Sequence, residues 1–218
     1  LFFLIHILHG IRNDVTDHLP ELLRIRDHLH LRGNRITVAE SDPLRIHIEP
    51  DRLRTVLEII LHTDMLKIKH MNVKGFKVAV VPITYYKSAP LDRAIDRLFV
   101  EVDKAYKDGA NILVLSDRGV DENHMPIPSL LAVSAVHQYL VKTKKRTSLA
   151  IILESGEPRE VHHFATLLGY GACAVNPYLA HETIGQLIDE GLLDKDYYAA
   201  VDDYNKAILS GIVKIASK

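Results

Sequence analysis

The second half of the chain alternates short apolar runs with amphipathic stretches, always in the same order. "FKVAVVPI" (76–83), "NILVLS" (111–116), "SLAIIL" (148–153) and "ACAV" (172–175) lack apolar/polar alternation, so each reads as a strand buried on both faces. Helix patterns separate them. Residues 91–109 place Leu91, Ile95, Leu98, Val102 and Ala105 on one face and stop at Gly109. Residues 128–142 open on Pro128, and "PREVHHFATLLGYG" closes on Gly169 or Gly171. "HETIGQLIDEGLL" and "DKDYYAAVDDYNKAILSGIVKIA" add further helices. Strand, helix, strand, helix predicts an α/β fold with a parallel sheet covered by helices.

The first third is less regular. Residues 15–31 read as a helix carrying Leu19, Leu22, Leu23, Ile25 and Leu29, and 31–43 as a turn-rich connection broken by Gly33-Asn34 and Asp42-Pro43. Residues 49–67 carry Leu53, Val56, Leu57, Ile60 and Leu61 at helical spacing after Pro50. The chain thus divides into an irregular helical segment, 1–74, and a (βα) repeat domain, 75–218.

In parallel α/β folds every strand C-terminal end points the same way, and the loops there form the edge of any site. That places Thr84, Tyr85, Ser116, Asp117, Arg118, Glu154, Ser155 and Asn176 on one rim. Two chemistries are conceivable. Residues 154–175 have the cadence of a phosphate-binding barrel, where loop and helix N–H groups hold the anion. The donors are sparse: Gly156 alone remains in the first loop, and Pro177 has no N–H to give. A degenerate, empty site is favoured. Asp117, Glu154 and Glu157 could instead work as an acid/base pair; the plainer expectation pairs Asp117 with Arg118 or a neighbouring helix and puts Glu157 in a first helical turn.

Other residues narrow the choice. The 13 histidines include no i, i+4 pair suited to chelation, since His162 and His163 point about 100° apart on a helix; they read as surface or core-edge residues. Cys173, the single cysteine, reads as a small buried hydrophobe. The run Lys142–Arg146 reads as a solvated loop. With 27 Lys+Arg against 28 Asp+Glu, nothing invites a polyanion, so no nucleic-acid partner is expected. The apolar opening Leu1–His9 is shorter than the roughly 20 residues of a membrane span and lacks signal-peptide flanks, so no membrane association is expected. The chain does not open on Met, which reads as a fragment or a processed product.

Long stretches resemble a known family. Ser116-Asp117-Arg118-Gly119, Pro126-Ile127-Pro128-Ser129-Leu130-Leu131-Ala132, Glu154-Ser155-Gly156-Glu157 with Arg159–Phe164, and Gly169-Tyr170-Gly171-Ala172 with Ala174–Tyr178 closely resemble the central domain of the glutamate synthase large subunit. "LRGNRI" (31–36) is similar to a stretch near that domain's start. The resemblance covers about residues 29–218, and most closely those from 110 on. Enzymes of this family move the amide nitrogen of glutamine onto 2-oxoglutarate and reduce the product to glutamate. The resemblance implies an incomplete, TIM-like (βα) barrel that binds no flavin, joins the glutaminase and FMN domains, and lines an ammonia tunnel. It implies no catalytic, cofactor or metal residue in this chain. FMN and an iron–sulfur cluster belong to a following domain, toward which the C-terminus would lead. A tunnel role would fall on the rim residues named above, with Pro82 standing where the family carries an acid and Thr84 keeping its hydroxyl. The partners implied are those two domains, the location is cytoplasmic or plastidic, and the isolated chain is expected to be inactive. The apolar helix 197–215 reads as a docking or self-association surface. Two other readings stay open: an autonomous flavin- or phosphate-binding barrel fragment, and an interaction scaffold without catalysis.

Overall fold

The computed structural model describes residues 58–71 and 73–217. The readings at 15–31, 31–43 and up to residue 57 lie outside them. Five strands form one parallel sheet: β1 (Glu58–Ile59), β2 (Val78–Pro82), β4 (Ile112–Ser116), β6 (Ala150–Glu154) and β7 (Ala174–Asn176). Their order is β1-β7-β6-β4-β2, so four strands run in chain order and the two-residue β1 adds to the far edge. Among the described residues the α-helices are α1 (His62–Lys69), α2 (Leu91–Lys107), α3 (Ser129–Lys142), α4 (Val161–Gly169), α5 (Tyr178–Asp189) and α6 (Tyr197–Ala216). The mixed α/β parallel fold expected from the pattern is present. Among the described residues β2 and β1 do not pair, so this sheet is open. No described helix is long and apolar enough to cross a membrane.

Strand parity divides the sheet into two faces. Leu113, Leu115, Ile151, Leu153 and Val175 point to the first, where α2, α3, α4 and α6 contribute Leu98, Val102, Val136, Leu140, Phe164, Ile208 and Ile212. Ile112, Val114, Ile152 and Ala174 point to the second, covered by Ile60 and by Met65 and Ile68 of α1. Neither face alternates toward water, which is why the strands read as continuous apolar runs.

Three expectations need correction. The helix expected over 49–67 is, in its described part, a strand at Glu58–Ile59, an extended link at Ile60–Leu61 and then α1. Tertiary pairing overrides the helical spacing: the Ile60 N–H donates to Val175 O at 2.9 Å, continuing the β1–β7 ladder. The strand expected to be buried at 76–83 is an edge strand, with Val80 48% exposed. The C-terminal helix is largely satisfied within the domain. Val201, Ile208 and Ile212 are buried, Tyr204 and Leu209 pack on the core, and Tyr198 and Ile215 stay exposed. Gly211 lets this helix approach α4 closely, since a Cβ there would meet Val161 Cγ2 at 2.5 Å.

A short antiparallel pair went unread: β3 (Thr84–Tyr86) with β5 (His124–Pro126). It is tied to the strand ends by Ile83 N–H to Ser116 O (2.8 Å) and Ile127 N–H to Ile83 O (2.7 Å).

Candidate functional site at the strand ends

Parallel register aligns Ser116 with Glu154 and Glu154 with Asn176, so three polar side chains form one row ending the second face. All three are buried. Glu154 accepts from Lys69 Nζ with both oxygens (2.8 and 2.7 Å), from Arg118 Nε at 3.0 Å and from Ser116 Oγ at 2.5 Å. Burial pushes its carboxyl upward, but the hydrogen bonds from Lys69 and Ser116 and the nearby cations outweigh it and hold the group below its ordinary value. Arg118 also lies 3.9 Å from the Tyr178 ring centroid and donates to the exposed Glu182 at 3.3 Å; the same nitrogen is 3.3 Å from His62 Nδ1. Asn176 donates to Ile60 O at 2.7 Å, clamping β7 to the link after β1, while its Oδ1 is buried with no partner among the described residues.

The residues one step along each strand point the other way and build a second cluster. Asp117, 4% exposed, accepts from Ser155 Oγ at 2.6 Å and from Gly156 N–H at 3.0 Å, and the Tyr178 hydroxyl lies beside Gly156. Burial raises the Tyr178 hydroxyl's pKa strongly, and the Asp117 carboxylate adds to it. Ser155 Oγ in turn accepts from Glu157 N–H at 3.1 Å.

Six of the eight rim residues are thus drawn together: Ser116, Arg118, Glu154 and Asn176 on one side, Asp117 and Ser155 on the other. Thr84 and Tyr85 lie apart, on β3, where Thr84 O accepts from Arg97 and Tyr85 packs on the first-face core. Asp117 does not pair with Arg118: the loop after β6 holds it, and Glu154 takes Arg118. Glu157 lies before α4 and caps α3 instead, accepting from Ser129 N–H and Oγ at 2.9 and 2.6 Å. Both rim carboxylates are saturated with donors, which leaves neither free as a general base in this arrangement. The Gly156 N–H that a phosphate would take is directed at Asp117.

Sequence reasoning missed Lys69, Tyr178, Glu182 and His62. Tyr178 was within reach, as the residue after Asn176-Pro177. It also misjudged two groups. His181 is buried, with Nε2 3.1 Å from Asn205 Oδ1, and burial lowers its pKa against the opposing Asn205 bond. Arg146 is no solvated loop residue: it donates to Leu149 O, Gly171 O and His137, with Cys173 Sγ 3.7 Å away. Cys173 is buried and free. Among the described residues no three His, Cys, Asp or Glu side chains converge as metal ligands.

A family model described as "Glutamate synthase central domain" matches residues 15–218. The chain is similar to the glutamate synthase [NADPH] large chain of Bacillus subtilis (strain 168), 46% identical over 174 residues, which are 76% of this chain and 11% of that one. It is similar to glutamate synthase [NADH] of Schizosaccharomyces pombe, 39% identical over 191 residues, 85% of this chain and 9% of the relative. It is also similar to the chloroplastic ferredoxin-dependent glutamate synthase of Oryza sativa, 39% identical over 140 residues, 59% of this chain and 9% of the relative. The chain spans about a tenth of the length of these relatives.

Proposed function

The chain belongs to the glutamate synthase central-domain family, and from that premise we propose that it is the structural module joining the glutaminase and FMN domains of one enzyme. In this reading its strand-end rim lines the ammonia path, and its sheet is part of an incomplete, TIM-like barrel whose interior is the second face. The observation that carries the reading is the rim's self-sufficiency. Buried Glu154 and Asp117 are matched by the chain's own donors, so the rim is held rigid without flavin, phosphate or metal. The layered rows of the second face, Ile112 with Ala150, then Val114, Ile152 and Ala174, then Ser116, Glu154 and Asn176, support the barrel reading. FMN and an iron–sulfur cluster fall to a neighbouring domain, and glutamine and 2-oxoglutarate are substrates of the whole enzyme. The location proposed is the cytoplasm, or the plastid in a photosynthetic eukaryote.

Two measurements test this. The 218-residue chain alone forms no glutamate from 2-oxoglutarate and binds FMN no better than about millimolar, since Pro177 lacks the N–H an anion would need. Micromolar FMN binding would favour the flavin-binding alternative. In the full-length enzyme, Arg118→Ala loosens the rim and lowers glutamate formed per glutamine hydrolysed; an unchanged ratio removes the rim from the ammonia path.

A further inference from the structure

Asp117 differs from Glu154 in being held by neutral groups. Its carboxylate is buried at the strand ends and forms no ion pair among the described residues. Its hydrogen-bond partners are the backbone N–H of Gly156 and the hydroxyl of Ser155, neutral donors from the β6–α4 loop. Converging on a buried point, with the Tyr178 hydroxyl beside Gly156, they form an oxyanion cradle. The cradle is shaped to its content: a Cβ on Gly156 would come within 3.2 Å of the Tyr178 hydroxyl.

We infer that this cradle is a small-oxyanion site whose ligand is supplied in cis by the Asp117 carboxylate. The carboxylate closes the turn after β4 onto the β6–α4 loop. Removing Asp117 leaves the Ser155 and Gly156 donors unmatched. The ligand class is a compact oxyanion, a carboxylate such as formate or a phosphate. This rests on reading the native rim as free of ligand. That reading fails if the native chain retains FMN; the present inference fails on the rescue experiment alone.

The test uses the full 218-residue chain and its thermal midpoint. Asp117→Ala lowers the midpoint by about 5 °C. Formate, exchanged for chloride at constant ionic strength, restores most of the loss in the variant and leaves the native chain unchanged. Inorganic phosphate distinguishes the sources: rescue by formate alone means the cavity accepts only a carboxylate, and rescue by both means a general oxyanion site. Equal response to formate, phosphate and chloride overturns the inference. Should Asp117→Ala not fold, Asp117→Asn keeps the shape and removes the charge. It is expected to lose stability because its NH2 faces a donor; a native-like midpoint would overturn the inference equally.

Discussion

The two faces of the sheet are built by alternate residues of the same strands, yet they close differently. The first is apolar from end to end of each strand and lies under four helices. Among the described residues, the second is covered by the eight-residue α1 and the Ile60 link, and ends in a polar row cross-linked by Lys69 and Arg118. Where many helices converge, dispersion and burial suffice. Where cover is thin, charge-assisted hydrogen bonds finish the closure and place α1 relative to β6.

The sharpest way to break this comparison is to truncate adjacent residues of β6, both fully buried. Leu153→Ala on the first face should cost about 4 kcal/mol and Ile152→Ala on the second about 3 kcal/mol, because a short helix can settle into a cavity better than four interlocked ones. Denaturant midpoints with unchanged slopes would check it, and the reverse order would refute the unequal cover. Next in size is Glu154→Gln, which leaves Lys69 without its carboxylate and Arg118 with only the exposed Glu182. The expected loss is about 3 kcal/mol, at the low end for a broken buried pair because Lys69 and Arg118 side chains are 20% and 34% exposed. A loss no larger than a surface pair's would mean water screens the row.

Gly211→Ala probes the first face at its last helix. The added methyl meets Val161 and should cost about 1–2 kcal/mol. Hydrogen exchange should quicken along α6 in the variant and stay slow in the native chain; fast exchange in both would return that helix to the role of a free docking surface.

The smallest effect is on pH. His181 is held neutral by burial, so its folded pKa lies below its unfolded value of about 6.5. Its stabilisation is complete above that value and is lost as pH falls through the folded one. Glu154 is also depressed, so its contribution is complete above about 4.3 and is lost in more acid solution. Urea midpoints should therefore fall in two stages on acidification, with the upper stage absent in His181→Gln. A single stage shared by both chains would deny the histidine its part.

Most of the sheet was legible because buried parallel strands have an unmistakable composition. Where a strand sits was not. Periodicity cannot tell that β2 has a neighbour on one side alone among the described residues, nor that Glu58-Ile59-Ile60 should leave the helical pattern to pair with residues far along the chain. Six of the eight rim residues converge because strand ends converge, and that is topology. The partners were misassigned for a different reason. Asp117 and Arg118 adjoin in sequence, but the chain turns after β4 ends at Ser116, so Asp117 meets the β6–α4 loop while Arg118 reaches Glu154. Lys69 and Tyr178 entered from a helix end and a helix start, which no strand pattern announces.

The edge strand β1 carries a consequence for how the chain comes off the ribosome. The bond from Asn176 to Ile60 joins residues 116 apart, and β7 is the only neighbour β1 has among the described residues. Strands β2, β4 and β6 can assemble in the order they are synthesised, and α2 and α3 can dock behind them. The Glu58–Ile59 segment, made before β2, has no described edge to join until β7 emerges. Until then its backbone lacks that partner, a window in which a nascent chain is open to chaperones and to mispairing.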